Sequence, residues 1–118
     1  MAVTIYHNPR CSKSRQTLKL IKDAGVEPRV VNYLTEPLDA AALIDLSQKL
    51  GMPLSDLLRR GEAEFKESKD LPSLSDDAAL ALWMTRHPIT LERPIVVDED
   101  SGRAVVGRPP ENVLTLLP

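Results

Sequence analysis

Val3-Thr4-Ile5-Tyr6-His7-Asn8-Pro9-Arg10-Cys11-Ser12-Lys13-Ser14-Arg15-Gln16-Thr17 is the stretch that decides the fold. Its β-branched and aromatic opening predicts a strand, and Asn8-Pro9 breaks that strand. Beyond Ser12 the spacing predicts a helix over 12–25. Leu18, Ile21 and Ala24 share one face, Lys13, Lys19, Lys22 and Asp23 fall elsewhere, and Gly25 supplies the stop. Arg29-Val30-Val31-Asn32-Tyr33 is a second β-rich run. Strand, helix and strand in this order make a βαβ unit, which requires parallel pairing and a right-handed crossover. Cys11 stands where the helix opens.

Outward from this unit, Thr35-Glu36-Pro37 interrupts the chain. Asp39 is placed to cap a helix to Leu50, with Leu43, Leu46 and Leu50 on one side and Gly51 ending it. Pro53 predicts a short helix over Leu54 to Arg60, and Ala63 to Lys66 a weaker helical turn. Ser75-Asp76-Asp77-Ala78 is an N-terminal signature for a helix reaching about Arg86, which Pro88 stops. The region of about 39–87 therefore reads as almost all helical. Pro94-Ile95-Val96-Val97-Asp98, a turn at Asp100-Ser101-Gly102, and Arg103-Ala104-Val105-Val106 predict a hairpin. Pro109-Pro110-Glu111-Asn112-Val113-Leu114 predicts a closing helix with proline in its first turn.

A chain of 118 residues holds one domain, expected to span 1–118 with the helical stretch inserted between its two β-rich parts. Hydrophobic residues at 42% and charged residues at 27% are ordinary for a globular protein. A formal net charge of −2 disfavours nonspecific attraction to nucleic acid or an anionic membrane, so neither is expected as a partner. No stretch reaches the apolar length of a membrane span. Val3–Tyr6 reads as a strand rather than as the apolar part of a leader, and a cytoplasmic protein is expected. The single cysteine rules out an internal disulfide framework and a cysteine-rich zinc site. Basic residues form no continuous run, so an anion site must be assembled by folding.

The chemistry concentrates at Cys11. Thiolate is the nucleophilic form, and a helix N-terminus with nearby cations lowers a cysteine pKa from about 8.5 to roughly 3.5–7.5. The first helical turn offers unpaired N–H groups and the positive end of the helix dipole. Arg10, Lys13, Arg15 and His7 stand close in sequence. Such a place both ionises a sulfur and attracts a small anion. The competing reading is a buried structural thiol, since free cysteine is among the most buried residue types.

His7-Asn8-Pro9-Arg10-Cys11-Ser12-Lys13-Ser14-Arg15, together with Leu57-Leu58-Arg59, Glu92-Arg93-Pro94-Ile95-Val96-Val97 and Gly107-Arg108-Pro109, resembles the glutaredoxin-coupled arsenate reductases. The likeness runs along essentially the whole chain and is strongest to the short members without a longer C-terminal tail. It implies an α/β fold with a thioredoxin-like mixed sheet, β-α-β … β-β-α, and a central all-helical insertion. It implies a cytosolic enzyme in which Cys11 attacks arsenate to form a thiol–arsenate adduct. Arg59, Arg93 and Arg108 match the residues that bind the oxyanion substrate, and His7 and Ser14 those that stabilise the thiolate. Arg93-Pro94 matches the cis-proline position. Glutathione enters as co-substrate with glutaredoxin as protein partner; no bound cofactor and no metal are implied.

Other readings stand beside these. Position 14 is Ser, so no Cys-x-x-Cys pair exists, and Cys11 must exchange with an external thiol through a mixed disulfide. Position 17 is Thr where a cysteine phosphatase loop needs arginine. Arg59 and Arg60 are also suited to a helix C-terminus, where cations are favoured. Arg108 is either a ligand or a solvated charge, because the hairpin before it is long and leaves its register open. His7 either carries charge as imidazolium or hydrogen-bonds a loop carbonyl. His87 reads as a helix-end surface residue, and Trp83 and Met84 as core. A second function on the same fold is a redox-responsive transcriptional regulator that binds RNA polymerase. Such proteins usually carry Cys-x-x-Cys where this chain has Cys11-Ser12-Lys13-Ser14.

Overall fold

The computed structural model describes residues 1–118, which divide into two compact units, 1–36 with 93–118 and 37–92. The first unit holds β1 (Val3–His7), α1 (Ser12–Asp23), β2 (Arg29–Asn32), β3 (Ile95–Asp98) and β4 (Arg103–Val106), followed by a 3-10 helix, Pro110–Thr115. Its four strands lie in the order β2-β1-β3-β4. β1 pairs parallel with β2, Ile5 opposite Val30, and antiparallel with β3, Ile5 opposite Val96. β3 and β4 form the hairpin, with Val96 opposite Val105. The sheet is mixed, as the element order requires.

Alternation along β1 sends Val3 and Ile5 to one side, where they join Ile21 of α1, Val26, Val96, Val113 and Leu116 in one buried cluster. Ile5 and Ile21 are wholly shielded, each worth roughly 1.5–3 kcal/mol of apolar burial. The helical face differs from the one the apolar spacing predicts. Ser14, Thr17 and Ile21 are the buried positions of α1, Leu18 is only partly covered, and Ala24 is exposed. Small hydroxyl residues fit where the helix start lies close to neighbouring backbone, and hydrophobic periodicity does not register them.

The second unit contains α2 (Ala40–Leu50), a 3-10 helix Leu54–Leu57, the single turn α3 (Ala63–Lys66), α4 (Asp77–Arg86) and a 3-10 turn Pro88–Thr90. Asp39 accepts from the Ala42 N–H at 2.8 Å and Asp76 from the Ala79 N–H at 3.1 Å, so both helices begin where the sequence places them. Gly51 closes α2 at φ 67°, the left-handed conformation that glycine adopts without steric cost. α2 and α4 pack together, burying Leu43, Leu46, Leu80, Ala81, Trp83 and Met84.

The helix expected over Leu54 to Arg60 is shorter. It ends at Leu57, and Leu58 turns extended to bridge Leu91 in antiparallel fashion. Arg59 N–H bonds the Thr90 carbonyl at 2.7 Å, and Glu92 N–H bonds the Leu57 carbonyl at 2.8 Å. These partners lie more than thirty residues away, and they outweigh the local helical preference. Arg59 is therefore no helix cap. The closing segment after Pro109 is likewise a 3-10 helix rather than an α-helix. No helix is long and apolar enough to cross a membrane.

Candidate active site

β1 delivers His7 and Asn8, both buried, into the turn before α1. The Asn8 carbonyl accepts from Cys11 N–H at 3.0 Å, and its side-chain oxygen accepts from Arg10 N–H at 3.0 Å. Arg15 donates to the Pro9 carbonyl at 2.9 Å and braces the loop from the helix side. Cys11 becomes the N-cap of α1, in extended conformation at φ −94° and ψ 122°, and is half-buried. The reading of Cys11 as a thiol sealed in the core does not describe this position.

Two guanidinium groups reach the sulfur. Arg108 Nη1 lies 3.6 Å from Cys11 Sγ and also donates to the Arg93 carbonyl at 3.4 Å. Arg93, only 8% exposed, hydrogen-bonds the sulfur through its side chain. Cys11 makes no capping bond of strict geometry, yet the Ser14 and Lys13 N–H groups face it. Burial works against ionisation of the thiol. The backbone N–H groups of Ser14 and Lys13, then the hydrogen bond and charge of Arg93, outweigh it and hold the pKa below the ordinary thiol value. Arg108 is exposed, so solvent screens its charge and the buried Arg93 contributes more. The Arg93-Pro94 bond is cis, as is Arg108-Pro109.

Behind the sulfur runs a short polar relay. Ser14, wholly buried, accepts from the Asn8 N–H at 3.0 Å and lies 2.7 Å from His7 Nδ1. The Ser14 oxygen has two lone pairs, so it can accept from Asn8 N–H and still either accept from or donate to His7 Nδ1, as the ring tautomer dictates. Burial, then the charges of Arg15 and Lys22, lower the His7 pKa below its ordinary value and favour the neutral ring. The partner of His7 is thus a serine hydroxyl and not a loop carbonyl. Ser14 faces the sulfur through its backbone N–H, while its side chain is committed to His7 and Asn8.

His7, Cys11, Ser14, Arg93 and Arg108 all belong to the first unit. Arg59 belongs to the second, where its Nε lies 3.3 Å from Glu62 and its Nη1 3.1 Å from Glu92. His87 caps the end of α4 half-buried, stacked on Trp83 at 4.2 Å and bonded to Glu64 at 2.8 Å. Trp83 also donates to Ser68 and Asp70, each at 3.2 Å, so it is a core residue with its polar edge satisfied. No group of three or more His, Cys, Asp or Glu is arranged to hold a metal ion.

Sequence reasoning gave no site role to Asn8, Thr17 or Gly107. The Asn-Pro turn signal points to Asn8. Nothing in apolar periodicity points to Thr17, and Gly107 entered only as part of the Gly107-Arg108-Pro109 motif.

A fold of this kind with a half-buried cysteine at a helix start and arginines on the sulfur defines a thiol-dependent anion-handling class. Residues 6–116 match the family model described as the ArsC family. The chain is 51% identical over 116 residues to the Escherichia coli (strain K12) protein named "Uncharacterized protein YfgD", covering 98% of this chain and 96% of the relative. It is 43% identical to an arsenate reductase of Neisseria meningitidis serogroup A, covering 98% and 97% of the two chains. The solved structure of an arsenate reductase from Vibrio cholerae superposes with a TM-score of 0.90 at 44% identity, covering 99% of this chain and 98% of that one. This chain belongs to the ArsC family, and its sheet is the thioredoxin-like sheet of that family.

Proposed function

We propose that this protein is a cytoplasmic arsenate reductase in which Cys11 is the nucleophile and glutathione with glutaredoxin supplies the electrons. One observation carries the reading most: two arginines from remote segments meet the sulfur at the start of a helix. A tetrahedral oxyanion beside a thiolate suffers like-charge repulsion unless cations accompany it. Guanidinium forks match its edges bidentately and keep their charge at all physiological pH values. Arg93 and Arg108 supply that charge at the sulfur, and Arg59 is the third arginine assigned to the oxyanion. Ser14 and His7 hold the loop in the form that keeps Cys11 ionised.

The reaction balances with these parts. The Cys11 thiolate attacks arsenic, an S–As bond forms, and one oxygen leaves as water after protonation. The arginines stabilise the charge gathering on the remaining oxygens. A glutathione thiolate then attacks the Cys11 sulfur. The S–S bond forms, the S–As bond breaks, and its electron pair goes to arsenic, which is reduced from As(V) to As(III) and leaves as arsenite. Glutaredoxin resolves the resulting mixed disulfide by thiol exchange and regenerates the Cys11 thiolate.

The test couples the purified chain to glutathione, glutaredoxin, glutathione reductase and NADPH. NADPH consumption is expected to depend on arsenate and to vanish in Cys11→Ser. Absence of arsenate-dependent turnover in the wild-type chain would refute the reading, and tight binding to RNA polymerase alongside it would favour the regulator.

A further inference from the structure

We propose that Thr17 and Gly107 are positioning residues that set Cys11, Arg93 and Arg108 in register, a role that rests on the thiolate chemistry above. Thr17 lies on α1, the helix whose first turn holds the sulfur, and is wholly buried. Its hydroxyl donates to the Lys13 carbonyl at 2.8 Å and lies 3.4 Å from the Gly107 carbonyl. Gly107 directly follows β4, and its N–H bonds the Pro94 carbonyl at 2.9 Å. A Cβ at residue 107 would meet Thr17 Oγ1 at 2.6 Å, Pro94 Cγ at 2.8 Å and Thr17 Cγ2 at 3.0 Å. The backbone there is not left-handed, so this glycine supplies space and not conformational freedom.

Residue 107 is therefore wedged between the helix that carries Cys11 and the segment that carries Arg93. It is also joined covalently to Arg108. The three segments that bring together the sulfur and both guanidinium groups meet at this one contact. Close-packed interiors transmit small displacements, and an error of about 1 Å in a reacting constellation can cost about 10²-fold in rate.

Cys11 is the only cysteine, so its alkylation by iodoacetamide across pH reports the thiolate without any assumption about substrate. Gly107→Ala is expected to move the alkylation midpoint upward and to lower kcat/KM for arsenate by about 10²-fold. Thr17→Ala introduces no overlap and is expected to move the midpoint in the same direction by less. In the double variant the two Thr17 atoms close to the new Cβ are gone while Pro94 Cγ at 2.8 Å stays, so part of the Gly107→Ala loss should return, a non-additive result. Wild-type alkylation profiles in both single variants would overturn the proposal, as would losses that simply add in the double variant. If Gly107→Ala does not fold, Thr17→Ala decides alone, and an unshifted profile there refutes the role. Should the wild-type chain lack arsenate turnover, the functional reading fails while the alkylation profiles still decide the positioning claim.

Discussion

At the scale of single residues, the site depends on which groups are charged. His7 illustrates this because its pKa is lowered from 6.5, burial being the first cause and the Arg15 and Lys22 charges the next. A lowered histidine pKa means that the unfolded chain binds the proton first as pH falls. Stability then rises with pH across that range, and this share of it is complete above the unfolded value. Chemical denaturation of the wild-type chain should show a midpoint that falls as pH drops through about 6.5. His7→Gln, which cannot titrate, should lack that component. A pH-independent difference between the two proteins would mean that His7 is not held neutral.

At the scale of elements, helix starts were the most legible part of the chain. Asp39 and Asp76 announce α2 and α4 through short polar side chains that satisfy backbone N–H groups, and such bonds are local. Asp39→Ala and Asp76→Ala should each lower unfolding free energy by about 1 kcal/mol in denaturant titration, without altering the Cys11 alkylation profile. Elements fixed by distant partners were less legible. Leu58 reads as helical by its neighbours but pairs with Leu91, a contact no local pattern encodes. The buried face of α1 was misplaced for a related reason. Ser14 and Thr17 are buried by close backbone approach and hydrogen bonds, and a search for apolar spacing looks elsewhere. The position of Cys11 was legible because Pro9, the helix start and the flanking cations are all near neighbours in sequence. The role of Gly107 was not, because Thr17, against which it packs, lies 90 positions away.

At the scale of the molecule, the two ends of the chain build one sheet, and the site needs both. β1 and α1 bring the sulfur, and the segments flanking β3 and β4 bring the arginines. The mixed pairing is what makes this possible: β3 lies antiparallel beside β1, so Arg93, just before β3, arrives at the end of β1 that leads to Cys11. The helical stretch of 37–92 forms its own compact unit and carries Arg59. With one cysteine in the chain, no intrachain thiol is available to resolve an adduct on Cys11.

All of this depends on guanidinium groups that favour the charged form of one sulfur. The most direct measurement is an ultraviolet titration of the Cys11 thiolate in the wild-type chain and in Arg93→Ala. The account predicts a wild-type midpoint below that of an ordinary cysteine and an upward move when Arg93 is truncated. A wild-type midpoint at or above the ordinary thiol value, unchanged by that substitution, would contradict it.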